Sequence, residues 1–131
     1  LILFNEAGVP CVFWGDLLGS PDSDDLPAVR ELPILMSIRA RAAVGPQHNA
    51  FDNPDVVGFA REGKSEIPGS GCAVILSDRM GAEKTLYVGH RHAGQEWECV
   101  IGGHPSVRVA DDGTLTGVVS DGGLSVYVPR A

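Results

Sequence analysis

Basic residues are scarce in this chain of 131 residues: ten Lys and Arg stand against seventeen Asp and Glu, a formal net charge of -7 at pH 7. This balance excludes a phosphate-neutralising nucleic-acid surface and a polybasic membrane patch. Long apolar runs are absent as well, because Gly, Pro or charged residues interrupt each run before the roughly 20 residues of a membrane helix. The sequence shows no basic, apolar, small-residue export signal. A neutral polymer such as a polysaccharide stays compatible with this composition.

Cysteine is also rare, with three residues, Cys11, Cys72 and Cys99. Their number is odd, their spacing is wide and each lies in apolar sequence, which predicts buried thiols rather than a disulfide. Three thiols favour a cytoplasmic over a secreted protein. The sequence opens inside an apolar pattern without Met, so we expect the natural N-terminus to lie upstream.

The first 44 residues combine one strand pattern with one helix pattern. Residues 11–14 are wholly apolar and are followed by Gly15 and Asp16, which is typical of a strand buried on both faces in a parallel sheet. Residues 33–43 predict an amphipathic helix with Pro33 in its first turn. Its apolar face is predicted to contain Ile34, Leu35, Ile38 and Ala42.

From residue 45 onward the sequence has short β-type runs separated by turn residues, the pattern of an antiparallel sandwich. Predicted strands cover residues 56–62, 72–77, 85–88, 96–99, 107–110, 115–119 and 124–128. Residues 111–113 (DDG) and 121–123 (DGG) predict hairpin turns. A lone parallel strand before such a domain lacks hydrogen-bonding partners unless more chain supplies them.

Several blocks resemble the liquefying-type α-amylases, a glycoside hydrolase family. Residues 8–19, GVPCVFWGDLLG, resemble the eighth barrel strand and its turn, G-x-P-x-V-F-Y-G-D-x-Y-G, and residues 32–39 resemble the eighth barrel helix. Residues 44–52, VGPQHNAFD, are similar to the Y-G-x-Q-H-D-Y-F-D junction into the C-terminal domain. Further blocks follow in the family's order at residues 57–63, 86–89, 92–97, 111–113 and 122–128.

This resemblance implies a mainly β chain that forms the C-terminal fragment of such an enzyme. Residues 1–44 would be the strand-helix remnant of a (β/α)8 barrel, and residues 45–131 an antiparallel Greek-key β-sandwich. The missing barrel domain of the parent chain is then the expected partner of this chain. No nucleic acid and no membrane is expected as a partner.

The family hydrolyses internal α-1,4-glucosidic bonds of starch or glycogen with retention, which requires two carboxylates about 5 Å apart. The resemblance places the nucleophilic Asp, the acid Glu and a third Asp upstream of Leu1. We therefore expect this chain alone to be inactive and to stabilise the barrel, whereas the full-length enzyme would act on an α-glucan. Asp16 is interpreted as a turn or cap residue, and Asp22, Asp24 and Asp25 as a solvated loop.

The resemblance also implies a calcium ion between barrel and sandwich in the full-length enzyme. The ligands from this region correspond to the His48 carbonyl, the position of Asn49 and the carboxylate of Asp78. Calcium takes six to eight oxygen ligands. Because Asn49 replaces the family's Asp and the other ligands would lie upstream, we expect no calcium to bind this chain alone.

An alternative interpretation is a cupin-like metal-binding β-barrel. His90, His92 and Glu96, followed by Gly103, fit the spacing H-x-H-x3-E-x6-G, which would present two imidazoles and a carboxylate to a metal. Lys84 stands where the motif expects a Gly six residues before the first His. A second alternative is a starch-binding module, in which Trp14, Trp97, Tyr87 and Tyr127 would stack on sugar rings.

Overall fold

The computed structural model describes Phe4 and residues 32–53, 55–78, 80–121 and 123–130. The predicted strand at residues 11–14 lies outside these described residues, as do Asp16, Asp22, Asp24 and Asp25. The division of the chain at residue 44 into barrel remnant and sandwich therefore stays a prediction.

One helix, eight strands and a short 3-10 turn make up the described chain. Helix α1 spans Leu32–Ala42, close to the predicted range. The strands are β1 Gln47–Asn53, β2 Val56–Arg61, β3 Cys72–Ser77, β4 Ala82–Tyr87, β5 Glu96–Ile101, β6 Val107–Arg108, β7 Thr114–Val119 and β8 Leu124–Pro129. The 3-10 turn covers His90–His92, between β4 and β5.

The strands form two antiparallel sheets that pack face to face. The larger sheet has the order β1-β2-β3-β8-β5-β6, and the smaller one pairs β4 with β7. Strands β5, β6 and β7 follow one another in space, and β8 returns to lie beside β5. Two antiparallel sheets packed face to face confirm the predicted sandwich class.

The two turn signals were only partly right. The chain does turn at both places: Gly113 N donates to the Ala110 carbonyl, and Gly123 N donates to the Ser120 carbonyl. Each turn, however, connects the large sheet with the small one instead of joining two paired strands. The reason is tertiary, because β7 takes its hydrogen-bond partner from β4 along its whole length.

The large sheet is buried on both faces, which explains the nearly continuous apolar sequences of β3 and β8. One face packs against β4 and β7 in a core that includes Ile75, Trp97, Leu115 and Tyr127. The opposite face packs against α1 and Phe4, in a second core. Buried Phe59, Val74 and Val126 belong to this second core.

Helix α1 packs on the sheet through Leu35, Ile38 and Ala42, and Leu32 is also buried. The prediction that Ile34 lies on the buried face was wrong, since Ile34 is 50% exposed. Ile34 lies four residues before Ile38, on the same side of the helix, so its exposure shows that the described sheet does not cover this first turn of α1.

Arg61 fastens the second core to the end of β2. Its side chain is buried, and its Nη1 donates to the Phe4 carbonyl at 2.9 Å while its Nε donates to the Gly45 carbonyl at 2.8 Å. A buried cation needs such hydrogen-bond acceptors to offset its lost hydration. Arg61 therefore holds Phe4 and the loop after α1 against the sandwich.

Cys72 and Cys99 are free thiols, as the sequence predicted, but only Cys72 is buried and Cys99 is half-buried; Cys11 lies outside the described residues. Burial raises the pKa of the Cys72 thiol to about 12, because the thiolate would have to exist in the apolar second core. Cys72 is therefore a packing residue. Within the described part of the chain, no helix has the length and apolar character needed to cross a membrane.

Candidate functional site

The three predicted calcium ligands do not converge on one point. His48 and Asn49 lie on β1. His48 is directly opposite Ala60 of β2, and Ala60 is in turn directly opposite Ala73 of β3. Asp78 follows β3, five residues beyond Ala73, which is roughly 17 Å further along the strand direction. One calcium ion, with oxygen ligands at about 2.3–2.6 Å, does not span this distance.

Asp78 instead lies beside a second acidic residue, Asp55, in the turn between β1 and β2. The Asp78 backbone N donates to the Asp55 carbonyl at 3.2 Å. No sequence motif marks Asp55, although the antiparallel pairing of β2 with β3 places the residue before β2 next to the residue after β3. Across the described ranges, no group of three or more His, Cys, Asp or Glu side chains could hold a metal ion.

The side chain of His48 belongs to a different cluster at the other end of the strands. His48 Nε2 lies 2.6 Å from Glu62 Oε2, and its ring meets that of Tyr87 edge to face. The Tyr87 hydroxyl is 2.7 Å from His90 Nδ1. We call His48, Glu62, Tyr87 and His90 the His48 network. It joins β1, the residue that follows β2, β4 and the 3-10 turn through side chains.

The chemistry available to the His48 network is limited. It contains one carboxylate, Glu62, whose side chain is 24% exposed, whereas retaining glycoside hydrolysis needs two carboxylates about 5 Å apart. The network thus supplies a hydrogen-bonded link between strands. No sequence motif marks Glu62, because its role depends on a partner fourteen residues away.

The cupin-like alternative is not supported by the geometry. His92 is buried, and its two ring nitrogens have protein partners: Nε2 is 2.6 Å from the Glu62 carbonyl, and Nδ1 is 2.8 Å from Gln95 Oε1. His90 is exposed and faces Tyr87, while Glu96 pairs with Arg130 at 3.1 Å. The three proposed ligands thus have three different sets of partners.

The aromatic residues proposed to stack on sugars are mostly inaccessible. Trp97 and Tyr127 are fully buried between the sheets, and Tyr87 is half-buried within the His48 network. Trp14 lies outside the described residues. In the part of the chain that the structure describes, the exposed aromatic side chain is Phe51, at 50% exposure, which was not among the predicted stacking residues.

Comparison with curated proteins gives consistent relatives, although no protein-family model matches the chain. The chain is 38% identical over 131 residues to an α-amylase of Geobacillus stearothermophilus and 37% identical over 133 residues to an α-amylase of Bacillus licheniformis. Both alignments cover 98% of this chain, but only 24% and 26% of these relatives. The chain therefore spans about a quarter of their length. A cytoplasmic α-amylase of Escherichia coli K12 is 34% identical over 139 residues.

Solved structures agree on the fold. An Anoxybacillus α-amylase superposes with a TM-score of 0.66 at 18% identity, over 98% of this chain and 30% of that one. An α-amylase from Malbranchea cinnamomea gives a TM-score of 0.58 at 15% identity, over 82% of this chain and 23% of that one. With the sequence relatives, these matches show that the chain corresponds to a C-terminal fragment of α-amylases.

Proposed function

We propose that this chain is the structural C-terminal part of an enzyme that hydrolyses internal α-1,4-glucosidic bonds of starch or glycogen. The observation that carries the proposal is the alignment of 98% of the chain with about a quarter of bacterial α-amylases. In this proposal the catalytic carboxylates belong to a barrel domain of the parent chain, and the sandwich stabilises that barrel.

The surface around α1 supports this role. Ile34 and Met36 on the helix are 50% and 37% exposed. On the same side of the large sheet, four apolar residues that pack against the second core are themselves only partly buried. These are Leu76, Val100, Ile101 and Leu124. Covering apolar surface contributes about 25 cal/mol per Å². A barrel packed on this side would gain stability from the contact.

Complementation tests the proposal. The 131-residue chain is mixed with a Geobacillus stearothermophilus α-amylase that lacks its C-terminal quarter, and unfolding is followed by calorimetry. We expect the chain alone to release no reducing sugar from amylose. We expect it to raise the unfolding temperature of the truncated enzyme by about 5 °C, because a partner that binds only the folded state stabilises it.

Two aliphatic variants locate the contact. Ile34→Glu places a charge on the exposed side of α1 and should abolish the stabilisation, whereas Ile67→Glu, at a 39% exposed isoleucine, should leave it unchanged. An unchanged unfolding temperature with the wild-type chain, or hydrolysis of amylose by the chain alone, would contradict the proposed role.

Calcium binding is proposed for the assembled enzyme, at the end of the strands where Asp55 and Asp78 lie. Their backbone hydrogen bond brings two acidic residues together at one edge of the sandwich. Two carboxylates fall short of the six to eight oxygens that calcium takes, so the other ligands would come from the barrel.

Calcium titration of the complemented enzyme shows which end of the strands binds the ion. Because ligand charge sets calcium affinity, Asp78→Asn is expected to weaken binding by about tenfold or more. Asn49→Ala, at the distant end, should have no effect. Equal affinities for Asp78→Asn and the wild-type chain would refute this location of the site.

A further inference from the structure

Arg39 carries one of two buried polar side-chain atoms that lack a hydrogen-bond partner in the part of the chain that the structure describes. The two atoms are Arg39 Nε and Ser125 Oγ. Ser125 is a neutral residue with no exposed surface, so it is closed to any partner outside the chain. Arg39 is a half-buried cation on α1, and buried polar groups normally have acceptors. Arg61, which donates to two carbonyl oxygens, shows the usual arrangement.

Arg39 lies at the border between the covered and the uncovered side of α1. Leu35, four residues before it, packs against the second core. Met36, three residues before it, is 37% exposed. Residues three and four apart are neighbours on a helix surface, so Arg39 is adjacent to both. Arg39 thus adjoins the exposed apolar surface that the proposed barrel would cover.

Nothing on α1 neutralises the charge of Arg39. The helix sequence, LPILMSIRARA, contains no acidic residue, and its last turn holds two cations, Arg39 and Arg41. The two ion pairs printed by the geometry of the described residues both lie outside α1. The negative end of the helix dipole favours a cation in this turn, but it does not supply an acceptor for a buried N–H group. Arg39 therefore has both a positive charge and an unused donor.

A carboxylate matches this donor better than other protein groups. The guanidinium group presents parallel N–H groups that the two oxygens of one carboxylate accept together, and the pair neutralises the charge. A backbone carbonyl would accept one hydrogen bond and leave the charge uncompensated. We propose that Arg39 is a docking residue for an Asp or Glu side chain of the barrel domain. This inference rests on the proposed function, because it names the chemical group that the barrel contributes at this point.

Replacement of Arg39 by methionine tests whether the donor is unused in the isolated chain. Methionine keeps a long unbranched side chain but removes the charge and the donors. Because an unpaired buried donor carries a desolvation cost, the unfolding temperature of the 131-residue chain is expected not to fall and to rise by up to about 4 °C. A fall of several degrees would show that Arg39 has an acceptor within this chain, and it would overturn the inference.

The same variant is expected to have the opposite effect on the assembled protein. Isothermal titration of the truncated Geobacillus stearothermophilus α-amylase should show about tenfold or more weaker binding of Arg39→Met, because a carboxylate of the barrel is left buried without its partner. Arg41→Met, at an exposed arginine of the same turn, is the matched control and should bind like the wild-type chain.

Cross-linking identifies the acceptor. A carbodiimide joins an amine to a carboxylate in contact with it, so the Arg39→Lys chain should become linked to the truncated amylase. Peptide mass spectrometry should find position 39 joined to an Asp or Glu. The wild-type chain has Lys64 and Lys84 and therefore controls for links through these two residues. A complex of Arg39→Lys that is linked through Lys64 or Lys84 alone would show that the acceptor is not a carboxylate.

The outcomes separate this inference from the proposed function. If Arg39→Met binds the truncated amylase as tightly as the wild-type chain does, the inference is wrong and the proposed function stands. If the wild-type chain neither binds nor stabilises the truncated amylase, the proposed function fails, and the inference fails with it.

Discussion

Replacement of Trp97 by alanine is expected to lower the free energy of unfolding by about 3–5 kcal/mol, the range for truncation of a buried large aromatic side chain. Trp97 has no exposed surface and lies in the core between the two sheets. Its ring meets that of His92 edge to face at 5.0 Å, and its Nε1 donates to Gln95 Oε1 at 3.4 Å. The substitution would leave a cavity and release the 3-10 turn.

Urea denaturation measures this loss, and Phe51→Ala is the matched control. Phe51 is an aromatic residue at half exposure, so its truncation should change the free energy of unfolding by only about 0.5 kcal/mol. If Trp97→Ala and Phe51→Ala were equally stable, the described packing between the sheets would be wrong.

Replacement of Gly63 by alanine is expected to destabilise the chain by about 2–5 kcal/mol, through backbone strain and overpacking together. Gly63 has a φ of +79°, which favours glycine. An added Cβ would lie 2.5 Å from the carbonyl group of Ser70 and 2.6 Å from Arg91 Nη2. The site is confined further because Gly63 N donates to the Val44 carbonyl at 2.8 Å.

Gly69→Ala isolates the steric part of this effect. Gly69 has nearly the same φ, +77°, but a Cβ there would meet nothing within 4 Å. Only the conformational cost of about 1–2 kcal/mol should remain. Thermal unfolding of the two variants should therefore differ by several degrees, with Gly63→Ala the less stable. Equal unfolding temperatures would show that Ser70 does not pack against Gly63.

The β strands could be predicted well where their sequences are apolar. Strands β3 and β8 are found almost where CAVILS and LSVYV placed them, since both are buried on two faces. Strand β1, QHNAFDN, was missed because it is an edge strand whose polar residues show no apolar alternation. Its pairing with β2, rather than its composition, makes it a strand.

The candidate sites were less predictable, because each depends on contacts between residues far apart in the chain. The spacing of His90, His92 and Glu96 fits a metal motif, yet both ring nitrogens of His92 lie within hydrogen-bond distance of Glu62 and Gln95. The calcium prediction combined His48 with Asp78, although the strand register places these two residues far apart. It did not include Asp55, which the same register places next to Asp78. Trp97 is fully buried, so it cannot stack on a sugar at the surface.

The sequence by itself determined the fold class and the resemblance to α-amylases, because hydrophobic periodicity, turn residues and the order of the motif blocks are local properties of the chain. Only the tertiary structure decided which side chains meet. It placed β8 between β3 and β5, paired His48 with Glu62, and left Phe51 exposed on the edge strand β1. The physical reason is that strand pairing and burial depend on partners distant in sequence, and a pattern of residue types does not specify which partner is chosen.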